Sequence, residues 1–226
     1  MYYYQTKYLT EFYKTKSAKE IAPMLIEWFS PKSVIDIGCG IGSWLKAFME
    51  ESITEVLGLD GEYVDKTKLL IPETNFIAYN LEQSIRIDKK YDLLICLEVA
   101  EHLSETRAES FISDLCKISD TILFSAAIPF QGGHNHVNEQ YPNYWINLFA
   151  KKNFMCKDII RPLIWNNNKI NWWYRQNIVI AKKEERPINL KKDLENINPL
   201  ISKELYELKM KEIENLKDEI KVLKAG

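Results

Sequence analysis

The chain contains three histidines, and all of them fall in two short polar stretches. Glu98, Glu101 and His102 close the run CLEVAEH, while His134 and His136 stand in GGHNHVNEQ. Glu98, Glu101 and His102 occupy i, i+3 and i+4, so a helical turn there would turn all three the same way. Two carboxylates with one or two imidazoles form a mixed oxygen and nitrogen donor set that suits a divalent cation such as Mg²⁺ or Mn²⁺. The same groups suit proton transfer, with Glu101, His134 and His136 as candidate bases. The plainer alternative for EVAEH is a solvated helix N-terminus, where the helix dipole favours carboxylates. A further set lies in IRPLIW and WWYRQN. Arg161 and Arg175 could orient an anionic acceptor through bidentate contacts, with Gln176 and a tryptophan walling the pocket. The alternatives are a surface ion pair for each arginine and core packing for Trp165, Trp172 and Trp173.

These residues need a scaffold, and VIDIGCGIGSW (34–44) supplies its centre. An apolar run containing Asp36 meets glycines at 38, 40 and 42, and an amphipathic stretch follows. That pattern reads as a buried strand, a tight turn and a helix start, in which glycine lets the backbone approach a ligand and free N–H groups receive its polar atoms. Ser43 occupies the last glycine position of the dinucleotide fingerprint, which disfavours a nicotinamide cofactor. Asp60, followed by Gly61, ends the next predicted strand, where an acid would take ribose hydroxyls.

Further strands are predicted over 75–79, 91–97, 121–128, 154–160 and 177–181, with helices over 18–29, 104–118 and 144–152. Ile21, Leu25, Trp28 and Phe29 form the apolar face of the first helix, and Ser104 reads as an N-cap. The tyrosine-rich segment 2–16 reads as a short helix that either closes over a ligand or packs on the domain.

The D-x-G-x-G-x-G form with Asp60 resembles motif I of the class I S-adenosylmethionine (SAM) methyltransferases. That resemblance implies an α/β, Rossmann-like, seven-stranded sheet with strands six and seven as an antiparallel hairpin. It also implies SAM as cofactor, held by Asp36, Gly38, Gly40, Asp60, Gly61, Asn80, Leu81 and Glu98, with Asn80 reading the adenine amino group or serving as a turn residue. E-x-x-E-H after strand four, with a later histidine, resembles the metal site of small-RNA 2′-O-methyltransferases, which implies Glu98, Glu101, His102 and His136 as ligands and His134 as substitute ligand or base. The stretches LGLDGEYVD, AAIPFQGGHNHVNEQYPNYW and WWYRQN extend the likeness to methyltransferases of bacterial surface-polysaccharide (capsule) loci, over roughly residues 30–181. More narrowly they resemble the enzymes that methylate phosphoramidate for capsule modification. The acceptor implied is a small polar or anionic molecule. The alternatives are a sugar hydroxyl or RNA 2′-hydroxyl with a divalent metal, or a catalytically silent SAM-binding scaffold.

A net charge of −2 argues against broad attraction to nucleic acid or anionic membrane. The absence of a long apolar run and of any C-x-x-C among four scattered cysteines fits a reduced, cytoplasmic setting. The methyltransferase domain is expected to end at Lys183. Beyond it a Lys/Glu-rich tail, 184–226, carries Ile213, Leu216, Ile220 and Leu223 in 3-4-3 spacing, the pattern of a coiled-coil stub and a route to a homodimer. Ending inside that pattern, the sequence reads as a piece of a longer chain.

Overall fold

The computed structural model describes residues 15–189, 193 and 197–225. The N-terminal lid expected before Thr15 lies outside the described residues. Strands β1 (Ser33–Ile37), β2 (Glu55–Asp60), β3 (Phe76–Ala78), β4 (Leu93–Leu97), β5 (Thr121–Ser125), β6 (Phe154–Lys157) and β7 (Val179–Lys183) form one seven-stranded sheet in the order β3-β2-β1-β4-β5-β7-β6. The first five run parallel; β7 is antiparallel to both β5 and β6, completing the expected hairpin. Every residue of β1, β4 and β5 is buried, because helices cover both faces of the parallel part.

Helices α1 (Lys16–Phe29) and α2 (Ser43–Glu50) pack on one face through Ile21, Leu25, Leu45 and Phe48. Helices α3 (Glu105–Ile118) and α4 (Pro142–Ala150) cover the other through Phe111, Leu115, Trp145 and Phe149. Two short helices, α5 (Arg161–Ile164) and α6 (Trp172–Asn177), take up the long β6–β7 connection on the α1 face, and a final helix, α7, spans Lys203–Ala225.

Several elements differ from expectation for local reasons. Strand β5 stops at Ser125 instead of Ile128, where the chain leaves the sheet to build the histidine loop. Asn177 belongs to α6 instead of β7, because its amide is drawn into a buried polar cluster. Trp28 is partly exposed, outside the apolar face of α1. Ser104 precedes α3 but its hydroxyl does not cap it; the hydroxyl and N–H both bond the Glu82 carboxylate. Residues 197–205 belong to the folded body, beyond the boundary expected at Lys183: Ile197, Ser202 and Leu205 are buried, and Ser202 N–H donates to Gln176 Oε1 at 2.8 Å. Among the described residues no helix is long and apolar enough to cross a membrane.

Candidate cofactor and metal site

The site gathers at the C-terminal ends of β1, β2, β4 and β5, where loops diverge on either side of the sheet's centre. After β1, the N–H groups of Gly38 and Cys39 both donate to the Leu59 carbonyl, which draws the turn back toward β2. Gly38 and Gly42 each have φ of +83°, a region that L side chains rarely adopt. A Cβ at Gly38 would also overlap Val99, so the glycine loop and the EVAEH loop touch directly. Cys39 packs over Gly58, and burial raises its thiol pKa far above the ordinary range, which leaves it a space-filling residue.

Asp36 lies inside β1, and its Oδ2 has no partner. Burial, reinforced by the Asp60 charge, raises its pKa well above the ordinary carboxylate value. Asp60 caps β2: Oδ2 accepts the Gly40 N–H at 2.6 Å, and Oδ1 accepts the Gly61 N–H at 2.7 Å and the Tyr63 hydroxyl. A carboxylate has about four lone-pair positions, so these three donors leave room for roughly one more. Asn80 Oδ1 accepts the Glu82 N–H at 3.0 Å and closes a turn, and Leu81 packs in the core beside it.

The EVAEH segment does not form an α-helical turn. Glu98 has φ of +56°, and a 3-10 turn follows over Ala100–His102. Glu98 precedes that turn, and its side chain is held in a cluster of buried amides. Its carboxylate accepts Gln131 Nε2 at 2.9 Å and Asn177 Nδ2 at 3.1 Å, and Gln131 Oε1 in turn accepts Gln176 Nε2 at 3.1 Å. Glu98, expected as a fourth ligand, lies outside the group of residues whose ligand atoms come together here.

That group is Glu101, His102 and His136, with one ligand atom of each within 4.8 Å of the others. The Glu101 carbonyl accepts the N–H groups of Val137 at 2.9 Å and Asn138 at 3.0 Å, which docks the histidine loop onto the turn. The rings of His102 and His136 meet edge to face at 4.8 Å between centroids. His102 Nδ1 lies 3.3 Å from the Asn135 carbonyl and His136 Nδ1 lies 2.8 Å from Glu139 Oε1. Each imidazole thereby has an outer partner that fixes its tautomer and leaves Nε2 for a ligand. Glu139 is itself held by the N–H groups of Phe130 and Gly132. Gly133 runs beneath the His136 ring, where a Cβ would collide with Nε2. His134 is exposed and stands outside the group.

Glu101 is 0% exposed, and neither carboxylate oxygen has a hydrogen-bond partner. Burial first, then the charge of Glu98, raises its pKa well above the usual value; the backbone N–H groups of Glu101 and Ala127, near the carboxylate but outside hydrogen-bond geometry, offset this only in part. Partial desolvation of the half-open His102 ring and the neighbouring His136 lower the pKa of His102, which favours the neutral, ligating imidazole. A divalent cation fits this set: it would satisfy an orphaned carboxylate and use two pre-oriented nitrogens.

Arg161 and Arg175 do not face the site. Arg161 makes a two-pronged ion pair with Asp158, at 2.9 and 2.6 Å, and donates to the carbonyls of Gln176 and Asn198. Arg175 donates to the carbonyls of Ile170 and Trp165 and pairs with Glu204. Both arginines clamp α5, α6 and the C-terminal segment, where orphaned backbone carbonyls need donors. Trp173 joins the core, and Trp172 packs against it. Sequence reasoning missed Asn177 and Glu139 as site residues; the H-x-x-E spacing of His136 and Glu139 was the available signal.

A parallel sheet with an antiparallel last hairpin, a glycine loop after β1 and an acid at the end of β2 define a class I methyltransferase fold. The chain belongs to the methyltransferase domain family, whose model matches residues 9–123. It is 29% identical over 102 residues to the magnesium-protoporphyrin O-methyltransferase of Synechocystis sp. (strain ATCC 27184 / PCC 6803 / Kazusa), a match covering 42% of this chain and 44% of that protein. The matched region is therefore less than half the length of that relative. Among solved structures it resembles the methyltransferase domain of bacterial CtHen1-C, with a TM-score of 0.55 and 18% identity over 74% of this chain and 97% of that one. It also resembles DesVI of Streptomyces venezuelae, with a TM-score of 0.58 and 10% identity over 80% and 97% of the two chains. The magnesium protoporphyrin IX methyltransferase of Synechocystis PCC 6803 with bound SAH superposes with a TM-score of 0.53 and 18% identity over 75% and 83%.

Proposed function

We propose that this chain transfers the methyl group of SAM to a hydroxyl oxygen of a polar acceptor, with a divalent cation held by Glu101, His102 and His136. The observation that carries this reading is the Glu101 carboxylate, fully buried, without partners, and grouped with two imidazoles whose Nδ1 atoms already have partners. A bound cation supplies positive charge that makes a hydroxyl easier to deprotonate.

The remaining roles fall to the chain's own groups. Asp60 offers its last lone pair to a ribose hydroxyl, and Gly61 and Gly40 hold that carboxylate in place. Asp36 Oδ2 suits a cationic or N–H-bearing group in the glycine loop. Val99, packed against Gly38, sets the acceptor loop against the cofactor loop, and such alignment is a large part of what methyl transfer requires. His134, exposed beside the group, is the candidate base.

The acceptor class we infer is a sugar hydroxyl, in keeping with the surface-polysaccharide resemblance. A phosphoramidate acceptor would call for guanidinium donors at the site, and Arg161 and Arg175 are committed elsewhere. The test is a methyl-transfer screen over nucleotide sugars, phosphoramidate and short RNA, with Mn²⁺ or with EDTA. Transfer to a hydroxyl acceptor that EDTA abolishes and Mn²⁺ restores, at unchanged SAM affinity, supports the reading. Full turnover in EDTA by protein that is metal-free by elemental analysis overturns the cation's role.

A further inference from the structure

The root of α7 is tied to the domain, yet its distal part is exposed. Leu205 is buried and Glu204 pairs with Arg175, but every side chain from Lys211 to Leu223 is exposed. Most of a helix's stability in a protein comes from packing its apolar face, and an exposed stretch lacks that contribution. It nevertheless presents an apolar seam of Ile213, Leu216, Ile220 and Leu223, all exposed.

We propose that this part of α7 pairs with the same helix of a second copy as a parallel, two-stranded coiled coil. In heptad terms Ile213 and Ile220 occupy a, and Leu216 and Leu223 occupy d, the combination that favours two parallel strands. The flanks specify the partner. Glu212 and Glu219 stand at g, and Lys217 and Lys224 at e. In a parallel, in-register pair each g residue faces the e residue of the partner's next heptad, so Glu212 meets Lys217 and Glu219 meets Lys224 across the seam. An antiparallel pair would set g against g and e against e, glutamate on glutamate and lysine on lysine. A second copy of this helix is therefore complementary to the face in both apolar pattern and charge. The preceding heptad breaks the seam, since Lys209 occupies d and bonds Glu212 within its own chain at 2.9 Å. Pairing accordingly begins where the helix leaves the domain.

The test is sedimentation velocity of the full chain over a concentration series at low salt. The expected result is a monomer–dimer equilibrium weakened at least tenfold by Lys217→Glu with Lys224→Glu, and equally by Glu212→Lys with Glu219→Lys. An equimolar mixture of the two variants should restore the dimer, because each supplies the charges the other lacks. Circular dichroism melting of each variant checks that the domain is intact. A wild-type chain that stays monomeric throughout the series, a charge-reversed variant that dimerises as the wild type does, or a mixture that stays monomeric would each overturn the proposal.

Discussion

Replacing Glu101 by glutamine tests the cation site with little change in shape. The wild-type carboxylate is fully buried and unpartnered, so without a cation it costs stability or keeps its proton. At a hundredfold excess over its dissociation constant, a cation that binds only the folded chain adds about 2.7 kcal/mol. For a chain of this length that is a rise in Tm of about 5–11 °C. Loss of one anionic ligand should weaken binding by about two orders of magnitude. At the same cation concentration the stabilisation then shrinks to about 0.4 kcal/mol, or about 1–2 °C. Without metal the order reverses, and Glu101→Gln should melt at or above the wild type. Thermal melts of both proteins, after chelation and with added Mn²⁺, Mg²⁺ or Zn²⁺, measure all of this. Equal cation-dependent shifts in the two proteins, or no shift in the wild type with any of the three, would refute the reasoning.

Gly133→Ala should lower Mn²⁺ affinity about tenfold or more in calorimetry without touching a ligand, because the added Cβ displaces the His136 ring. Asp60→Ala should weaken SAM binding tenfold or more by titration calorimetry, since a charge-assisted hydrogen bond is worth about 1.5–3 kcal/mol. Arg161→Ala should destabilise the chain by roughly 3 kcal/mol in urea, by stranding Asp158 and two carbonyls, and unfolding midpoints separate this from a selective effect on acceptor KM. Asp36 has a raised pKa in the folded state, so the folded chain holds a proton that the unfolded chain releases above about pH 4. Stability therefore falls as pH rises through that window, by about 1.4 kcal/mol per pH unit for this group, until the folded pKa is passed. Asp36→Asn should remove this group's downward slope from the ligand-free urea stability profile, beginning just above pH 4.

The sheet was legible because its signals are local. Uninterrupted apolar runs mark buried parallel strands, and glycines after Asp36 mark a turn whose φ values only glycine adopts readily. What misled was the assumption of continuity. Apolar residues from Ala126 to Ile128 extend the β5 pattern although the strand ends at Ser125, because burial in a loop and burial in a strand look alike over three residues. The β6–β7 connection folds as α5 and α6, with Arg161 donating to the Asn198 carbonyl and Arg175 to that of Trp165.

The site was legible only in composition. The sequence shows that glutamates and histidines cluster, but the direction of a side chain depends on one backbone torsion. At Glu98 that torsion is left-handed, and the residue that opens E-x-x-E-H leaves the cation group for an amide cluster built from Gln131, Gln176 and Asn177. The partners that the arginines take were hidden for a related reason. Guanidinium groups beside tryptophans suit an anion pocket and a buried clamp equally well, and the clamp depends on residues 198–204, whose return to the domain no local pattern announces. Glu98 and Arg161 thus meet in one polar floor through Gln176: its side chain reaches the Glu98 cluster, its carbonyl receives Arg161, and its Oε1 receives the N–H of Ser202. A change at Gln176 should therefore disturb the C-terminal segment and the Glu98 cluster together.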